Sequence, residues 1–150
     1  RRCLKLINGS LDLVHDHCVY TPHPGEAGHM LNEAQPIAQD MRYDAHKKLQ
    51  DKYKGISVLK GNMSIIGSHD SDGWVCPFGN PAMAIAGMGD VLAGIIGGYL
   101  AQFYEGPCVP MVAEAVALHA LAGDEAANGM SRGITPEEVL MSMRGLINAV

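Results

Sequence analysis

The chain has 150 residues, 47% of them hydrophobic and 18% charged, with a formal net charge of −5. This length suffices for one domain with a sizeable core. An acidic balance without a basic stripe argues against nucleic acid as the main partner, because phosphates need Lys and Arg to neutralise them. The four cysteines form no Cys-x-x-Cys pair. We therefore expect reduced thiols in a cytoplasmic protein, not a zinc site or a disulfide framework.

The first half of the chain alternates strands and helices. After a helix that ends over 11–14, we predict a strand over 18–20, a helix over 26–31, a helix over 37–53 and a strand over 56–59. Apolar or long side chains recur every four residues from Ile37 to Leu49, which predicts one buried face. The basic run that starts at His46 predicts a solvated face of the same helix. The strand over 56–59 lacks polar alternation, as is typical of the centre of a parallel sheet.

The second half is mainly helical. We predict antiparallel strands over 63–66 and 73–76 joined by a polar turn over 68–72. We then predict a helix that follows Asp90 and extends to about residue 103, a loop over 105–107, a helix over 112–127 and a last helix capped by Thr135. Pro136 at its first position and Glu138 three residues after the cap fit a helix start. Glycines over 94–98 weaken the helix that follows Asp90, which predicts close packing against a neighbour. The order indicates an α/β chain forming a single domain over 1–150. No apolar run is long enough to predict a membrane-spanning helix.

The stretch over 79–94 reads GNPAMAIAGMGDVLAG and predicts an anion-binding helix start. Gly87, Met88 and Gly89 form a turn that runs into Asp90 and then into an apolar helix. The first N–H groups of a helix lack internal partners, the dipole is positive there, and glycines let a phosphate approach closely. A carboxylate at this point can act as a base beside the anion, so Asp90 is the first candidate for catalysis. The alternative is an ordinary turn with Asp90 as its N-cap.

Four further side chains have a functional and a structural interpretation. Lys60 follows an apolar strand, at the strand end where ligands bind in α/β sheets; alternatively it is a solvated lysine. His23 lies between two prolines on a stiff loop that can hold a ring against a ligand; alternatively it is an exposed turn histidine. Asn80 either orders the loop ahead of Gly87 or only shapes a turn. His119, on an apolar helix, fits a core histidine better than a ligand.

The stretch over 79–94 resembles the anion-hole motif of ribokinase-like small-molecule kinases. It is most similar to that of the ADP- or ATP-dependent NAD(P)H-hydrate dehydratases, which read close to GNPGMATGGMGDVL. This chain has Ala82, Ile85 and Ala86 where that family usually has Gly, Thr and Gly.

Two more motifs match the same family in order and spacing. Residues 21–26 read TPHPGE, as in the family, and residues 58–64 match its VLKGxxT with Ser64 in place of Thr. The likeness runs from about Leu4 to the C-terminus. The resemblance implies a ribokinase-like three-layer α/β fold with a mainly parallel central sheet. Because the family's domain is roughly twice this length, we expect the chain to be its C-terminal portion only, with the N-terminal part of the domain absent.

The resemblance also implies roles for individual residues. Asp90 would be catalytic and would bind substrate, and His23 would contact the hydrated nicotinamide. Glu26 would support Mg²⁺ through water; alternatively it is a first-turn carboxylate favoured by the helix dipole. The anion hole would be formed by Gly87, Met88 and Gly89. The nucleotide would lie against Lys60, Gly61, Asn62, Met63, Ser64 and Gly89.

The implied activity is that of a hydro-lyase that repairs nicotinamide cofactors. ADP or ATP, with Mg²⁺, would drive dehydration of (S)-NAD(P)H-hydrate back to NAD(P)H with release of phosphate. Two alternatives stay open: a related kinase for a vitamin or sugar, and a non-catalytic nucleotide-binding or oligomerisation module. We expect a cytoplasmic homo-oligomer without nucleic-acid or membrane partners. The alternative of an N-terminal targeting peptide, lost together with a missing N-terminus, stays open.

Overall fold

The computed structural model describes residues 15–102 and 108–148. The predicted helix end over 11–14 and the loop over 105–107 lie outside these ranges. The strands are β1 (Val19–Tyr20), β2 (Ile56–Leu59), β3 (Ser64–Ser68) and β4 (Trp74–Cys76). The helices are α1 (Pro24–Met30), α2 (Arg42–Lys52), α3 (Met88–Leu100), α4 (Val109–Ala127) and α5 (Pro136–Asn148), with short 3-10 helices at Gln39–Met41 and Pro81–Met83.

The four strands form one sheet in the order β1-β2-β3-β4. β1 is parallel to β2, with Val19 opposite Ile56. β2 is antiparallel to β3, with Val58 opposite Ile66. All four residues of β2 are buried, as its unbroken apolar character predicts. The chain therefore leaves β1 and β2 at the same edge of the sheet, the edge where the predicted ligand-binding residues begin.

By internal contacts, the chain divides into two compact units. The first extends to Val75 and includes the short segment that ends at Val109; the second contains the remainder. The core of the first unit joins Met30 from α1, Leu49 from α2 and Tyr20 from β1. Tyr53, directly after α2, is 2% exposed, and its hydroxyl donates to the carbonyl of Met30 at 2.8 Å. Burial of the ring removes its hydroxyl from water, and this hydrogen bond gives the hydroxyl a partner inside the protein.

The second unit has its own hydrophobic core, and its last helix begins with a capping box. Its core contains Ala82, Met88, Ala122, Ala127, Ile134 and Val139. The predicted capping box of α5 is confirmed: Thr135 N donates to Glu138 Oε2 at 2.7 Å, and Glu138 N donates to Thr135 Oγ1 at 3.3 Å. Nowhere in the described ranges is there a helix with the length and apolar character needed to cross a bilayer.

The predicted helix over 37–53 was wrong at its start, because α2 begins at Arg42 after a 3-10 turn. Ala38 is extended, with ψ 155°, and Ile37 N donates to the carbonyl of Pro24 at 3.1 Å. The segment after Pro36 is thus held extended against α1, although its apolar spacing still fits a helix. The predicted solvated face was also wrong at His46, which is 2% exposed.

Other boundaries moved for local reasons. Met63 has φ 58°, a left-handed conformation that a strand cannot contain, so β3 begins at Ser64 and not at the predicted residue 63. α3 begins at Met88, so Met88, Gly89 and Asp90 are already helical although the helix was predicted to follow Asp90, and it ends at Leu100 instead of at about residue 103. The expected close packing of the α3 glycines is wrong within the described residues: a Cβ at Gly94 would meet no atom within 4 Å, and the same holds at the other two helix positions.

Candidate functional site

The start of α3 has the geometry expected of an anion-binding turn. Gly87 is the N-cap, with φ 91° and ψ −22°, in the left-handed region that glycine adopts without a Cβ penalty. Met88 and Gly89 are the first two helical residues, whose N–H groups have no acceptor within the helix. These N–H groups lie at the positive end of the α3 dipole. The turn can therefore receive a negatively charged oxygen.

Asp90 occupies the third position of this first turn and is exposed. The alternative interpretation of Asp90 as the N-cap is wrong, because Gly87 holds that position. The carbonyl of Gly87 accepts from the N–H of Asp90 at 3.0 Å and from that of Val91 at 3.1 Å. The N–H of Asp90 thus has an acceptor, so the N–H groups without an acceptor in the helix are those of Met88 and Gly89 before it. The Asp90 side chain lies in the same helical turn as these N–H groups and is exposed to solvent.

Asn80 fixes the loop that leads to this turn. Its Oδ1 accepts from Ala82 N at 2.9 Å, and its Nδ2 donates to Gly123 O at 3.1 Å and to Asp124 Oδ1 at 2.9 Å. Asp124 Oδ2 also accepts from Gly79 N at 2.9 Å. Asn80 therefore both shapes the turn and orders the loop against α4. Asp124 was not predicted from the sequence, because an acidic residue on a helix carries no signal of a distant loop partner.

The three departures from the family's usual motif fit the loop. Ala82 is 2% exposed and belongs to the core of the second unit. Ile85 is exposed, and its N–H donates to the carbonyl of Met83 at 2.9 Å. Among the described non-glycine residues, left-handed backbone occurs only at Asn32, Met63 and Asn128. Ala86 thus needs no glycine-like conformation, and the loop reaches Gly87 without strain at that position.

In the first unit, two predicted motifs meet at the ends of the parallel strands. The N–H of Lys60, directly after β2, donates to the carbonyl of Pro22, which follows β1, at 2.9 Å. The Nζ of Lys60 lies 4.0 Å from Oε2 of Glu26, and that carboxylate is largely buried, with 15% of its side chain exposed. Adjacent parallel strands end at the same sheet edge, so this meeting follows from topology.

His23 and Glu26 cap α1 reciprocally. Nδ1 of His23 accepts from Gly25 N and from Glu26 N, both at 3.1 Å, while Glu26 Oε2 accepts from His23 N at 2.8 Å. Because Nδ1 is an acceptor, the proton of the neutral ring lies on Nε2, which is 3.5 Å from Glu26 Oε1. The sequence did not predict this capping box, since histidine is not a usual cap. With 43% of its side chain exposed, His23 can still contact a ligand.

The cluster of His23, Glu26 and Lys60 suits Mg²⁺ only where water and phosphate supply most of the ion's ligands. No group of three or more His, Cys, Asp or Glu side chains in residues 15–102 and 108–148 is arranged to hold a metal ion. Glu26 is a single carboxylate with an ammonium group nearby. Mg²⁺ commonly keeps several waters and uses one or two carboxylates together with substrate phosphates. One partly buried carboxylate fits that pattern.

Five of the six predicted nucleotide-binding residues, Lys60 to Ser64, lie in sequence from the end of β2 to the start of β3, whereas Gly89 lies in the first turn of α3. Gly61 has φ 150° and Met63 has φ 58°, and Ser64 Oγ donates to Gly61 O at 3.3 Å. Gly61, Asn62 and Met63 are exposed, so the turn is open to a ligand. Behind it lies Arg42, which sequence reasoning missed because nothing in the sequence marks a basic residue at a helix start as buried.

His119 is 7% exposed, which confirms it as a core histidine.

The fold places the chain in a known structural class. The structure of a ribokinase-like superfamily protein from Enterococcus faecalis is similar with a TM-score of 0.79 and 27% sequence identity. The match covers 99% of this chain and 50% of that chain. The molecule is thus a ribokinase-like α/β protein, and its glycine-capped helix start lies within the matched region.

The family follows from comparison along the chain. The NAD(P)H-hydrate dehydratase family matches residues 4–144, so the chain belongs to that family. It is similar to the bifunctional NAD(P)H-hydrate repair enzyme Nnr of Coxiella burnetii, with 42% identity over 132 residues, covering 87% of this chain and 26% of that protein.

A solved member of the family gives the same picture. The ADP/ATP-dependent NAD(P)H-hydrate dehydratase from Bacillus subtilis, co-crystallised with ATP/Mg²⁺ and soaked with CoA, is similar with a TM-score of 0.74 and 29% identity. This match covers 87% of the chain and 48% of that structure. The chain therefore spans about a quarter of the Coxiella enzyme and about half of the Bacillus one.

Proposed function

We propose that the chain is the C-terminal part of a dehydratase domain that uses a nucleotide to convert (S)-NAD(P)H-hydrate back to NAD(P)H. The observation that carries the proposal is the start of α3. There, a left-handed glycine cap, two helical N–H groups without internal acceptors and an exposed carboxylate occupy one turn. Family membership supports the reaction class, and the activity for which the relatives are named supports the substrate.

The reaction is a phosphoryl transfer followed by elimination. The hydroxyl oxygen of the hydrated ring attacks the terminal phosphorus of ADP or ATP, and Asp90 takes the hydroxyl proton. The bond between that phosphorus and the nucleotide's bridging oxygen breaks, which leaves AMP or ADP. The ring's C–O bond then breaks, phosphate departs with the electron pair, and the adjacent ring carbon loses a proton. The ring double bond is restored, and no oxidant or reductant is consumed.

The helix start supplies the electrostatic part of this chemistry. N–H groups of Gly87, Met88 and Gly89 would donate to the phosphoryl oxygens as negative charge develops there. Because these donors are fixed by the helix, they need little reorganisation during the reaction. Loss of one donor of this type typically costs about 10²–10³-fold in kcat. The Gly87 cap therefore matters for rate as well as for folding.

We propose that residues of the first unit bind the nucleotide, the nicotinamide ring and Mg²⁺. The exposed turn from Lys60 to Ser64 would lie against the nucleotide, and His23 would contact the nicotinamide ring through its exposed edge. When bound, Mg²⁺ supplies neutralisation of the phosphate oxygens. Glu26 would hold the ion's water shell, as its single, partly buried carboxylate allows.

Recovery of NADH from its hydrate tests the proposal. The full-length protein is incubated with hydrated NADH, Mg²⁺ and either ADP or ATP, and the absorbance of reduced nicotinamide is followed; the two arms identify the donor. Asp90→Asn is expected to lower kcat by about 10²–10⁴-fold, the usual contribution of a general base, while nucleotide binding is kept. Glu137→Gln, an exposed first-turn carboxylate of α5, is the matched control and should leave kcat unchanged.

Three outcomes would decide between the alternatives. Unchanged turnover in Asp90→Asn would remove the catalytic assignment. Nucleotide consumption with a stable phosphomonoester and no NADH recovery would indicate a related kinase. Nucleotide binding without consumption would indicate a non-catalytic module. The expectations of a homo-oligomer and of a cytoplasmic location stay predictions, checked by sedimentation and by cell fractionation.

A further inference from the structure

Arg42 is buried behind the turn proposed to bind the nucleotide. It is the first residue of α2 and is 3% exposed. Its Nη2 donates to the carbonyls of Leu59 at 2.9 Å and Met63 at 3.1 Å. Its Nη1 donates to the carbonyl of Asn62. One guanidinium thus binds three carbonyl oxygens of a single turn.

The guanidinium has no other evident task. No ion pair between Arg42 and a carboxylate exists within residues 15–102 and 108–148. Its Nε is buried without a hydrogen-bond partner in the same ranges, and burial lowers the pKa of the group. A buried charge without a counter-charge is costly, so its contacts must compensate within the turn. Five fixed donors in a planar fork suit that geometry better than a lysine would.

The turn requires an external support. Gly61 has φ 150°, and a Cβ there would lie 3.0 Å from Cζ of Arg42. Met63 has φ 58°, a conformation that costs a non-glycine residue energy and persists only where the surrounding structure enforces it. Within the turn itself, Ser64 Oγ donates a hydrogen bond to Gly61 O at 3.3 Å, which is long for a bond between two oxygens.

The carbonyl contacts also set the direction of the turn's donors. In a trans peptide the C=O and the following N–H point in opposite directions. Because the Asn62 carbonyl points at the guanidinium, the N–H of Met63 is directed away from it. Met63 and Asn62 are exposed. The arginine therefore presents a backbone donor on the open side of the turn, where a phosphate oxygen can reach it.

We propose that Arg42 is a positioning residue that holds the turn over 60–63 in its nucleotide-binding conformation. The proposal rests on the proposed function. Arg42 touches no nucleotide itself; it fixes the carbonyls on one side of the turn so that Lys60 and the N–H of Met63 are available on the other. Its loss should therefore change nucleotide affinity more than the chemical step.

The test compares Arg42→Gln and Arg42→Lys with His46→Gln in the full-length protein. His46 is a buried polar residue of the same helix that contacts Ser57 and not the turn. Hydrogen exchange of amides 61–64 is measured without nucleotide. The Kd of Mg²⁺-ADP and Mg²⁺-ATP, and the KM and kcat of turnover, are then measured for each variant.

For Arg42→Gln we expect turn amides to exchange about 10-fold faster or more, since the turn opens locally. The nucleotide Kd and KM should rise by about 10-fold, with kcat within about 3-fold, the pattern of lost ground-state positioning. Arg42→Lys should restore part of the affinity. His46→Gln should lower thermal stability but leave turn exchange and nucleotide Kd unchanged.

Exchange and Kd in Arg42→Gln that match those in His46→Gln would overturn the positioning role and leave a purely structural one. A wild-type protein that binds neither nucleotide would overturn both this proposal and the proposed function. The wild-type titration therefore distinguishes the two failures: only the positioning proposal fails when wild type binds and the Arg42 variants bind equally well.

Discussion

At the scale of single residues, the buried pair of His46 and Ser57 makes stability depend on pH. His46 Nε2 lies 2.8 Å from Ser57 Oγ, and burial lowers the pKa of the ring below its ordinary value of 6.5. Below pH 6.5, His46 binds a proton in the unfolded chain more readily than in the folded chain, where its pKa is lower. The free energy of unfolding should therefore fall as pH drops below 6.5 and be unaffected by this residue above it.

Urea unfolding at pH 7.5, 6.5 and 5.5 measures this dependence. His46→Gln cannot be protonated, so the variant should lose less stability than wild type between the two lower pH values. An equal loss in both proteins would show that other groups cause the acid sensitivity.

Glycine at position 55 should contribute measurably to stability. Gly55 has φ 85°, and an added Cβ would lie 2.9 Å from the backbone carbonyl of His15 and closer still to that of Cys18. Gly55→Ala should therefore lower the free energy of unfolding by about 1–3 kcal/mol, the usual cost of a strained backbone. Gly145→Ala, in open space on α5, is the control and should be neutral or stabilising. Equal effects of the two changes would contradict the steric explanation.

At the scale of elements, the capping box of α5 gives a direct prediction. Thr135→Ala removes the oxygen that accepts from Glu138 N. It should lower the free energy of unfolding by about 0.5–2 kcal/mol. Thermal and urea unfolding measure the change. Thr135→Ser keeps the hydroxyl and should retain most of the stability; if it lost as much as alanine does, the cap would not be the cause.

Sequence patterns determined some elements better than others. β2 was predicted to the residue because an apolar run without alternation suits a buried strand. The start of α2 was missed because apolar spacing continues through residues 37–41, where the contact of Ile37 with α1 outweighs helix propensity. His23 as a cap and Arg42 as a buried support were missed for a different reason. Both depend on partners brought together by the fold, which local patterns do not record.

At the scale of the whole molecule, three short motifs identified the family and the fold class, because their order and spacing are shared along nearly the entire chain. The motifs also placed Gly87 as a turn residue, and the structure gives it the conformation that a turn glycine requires. Composition alone would have indicated only a globular chain. The specific roles of the site residues stay predictions until the variants are measured.

Nucleotide binding should stabilise the whole protein. A ligand that binds only the folded state at 100 times its Kd raises the free energy of unfolding by about 2.7 kcal/mol. Thermal unfolding of the full-length protein with increasing Mg²⁺-nucleotide should show this rise. Asp90→Asn should keep the rise although its turnover is lost, whereas Lys60→Gln should reduce it. A rise that vanished in Asp90→Asn would mean that this carboxylate acts in binding.

The backbone hydrogen bond from Lys60 N to Pro22 O has a thermodynamic consequence. It joins the loop that contains His23 to the turn proposed for the nucleotide. A ligand that orders one of the two segments reduces the conformational entropy that remains to be lost when the other is occupied. Cooperativity of this kind is reciprocal, so nucleotide should tighten binding of the hydrated cofactor by the same factor by which the cofactor tightens binding of the nucleotide.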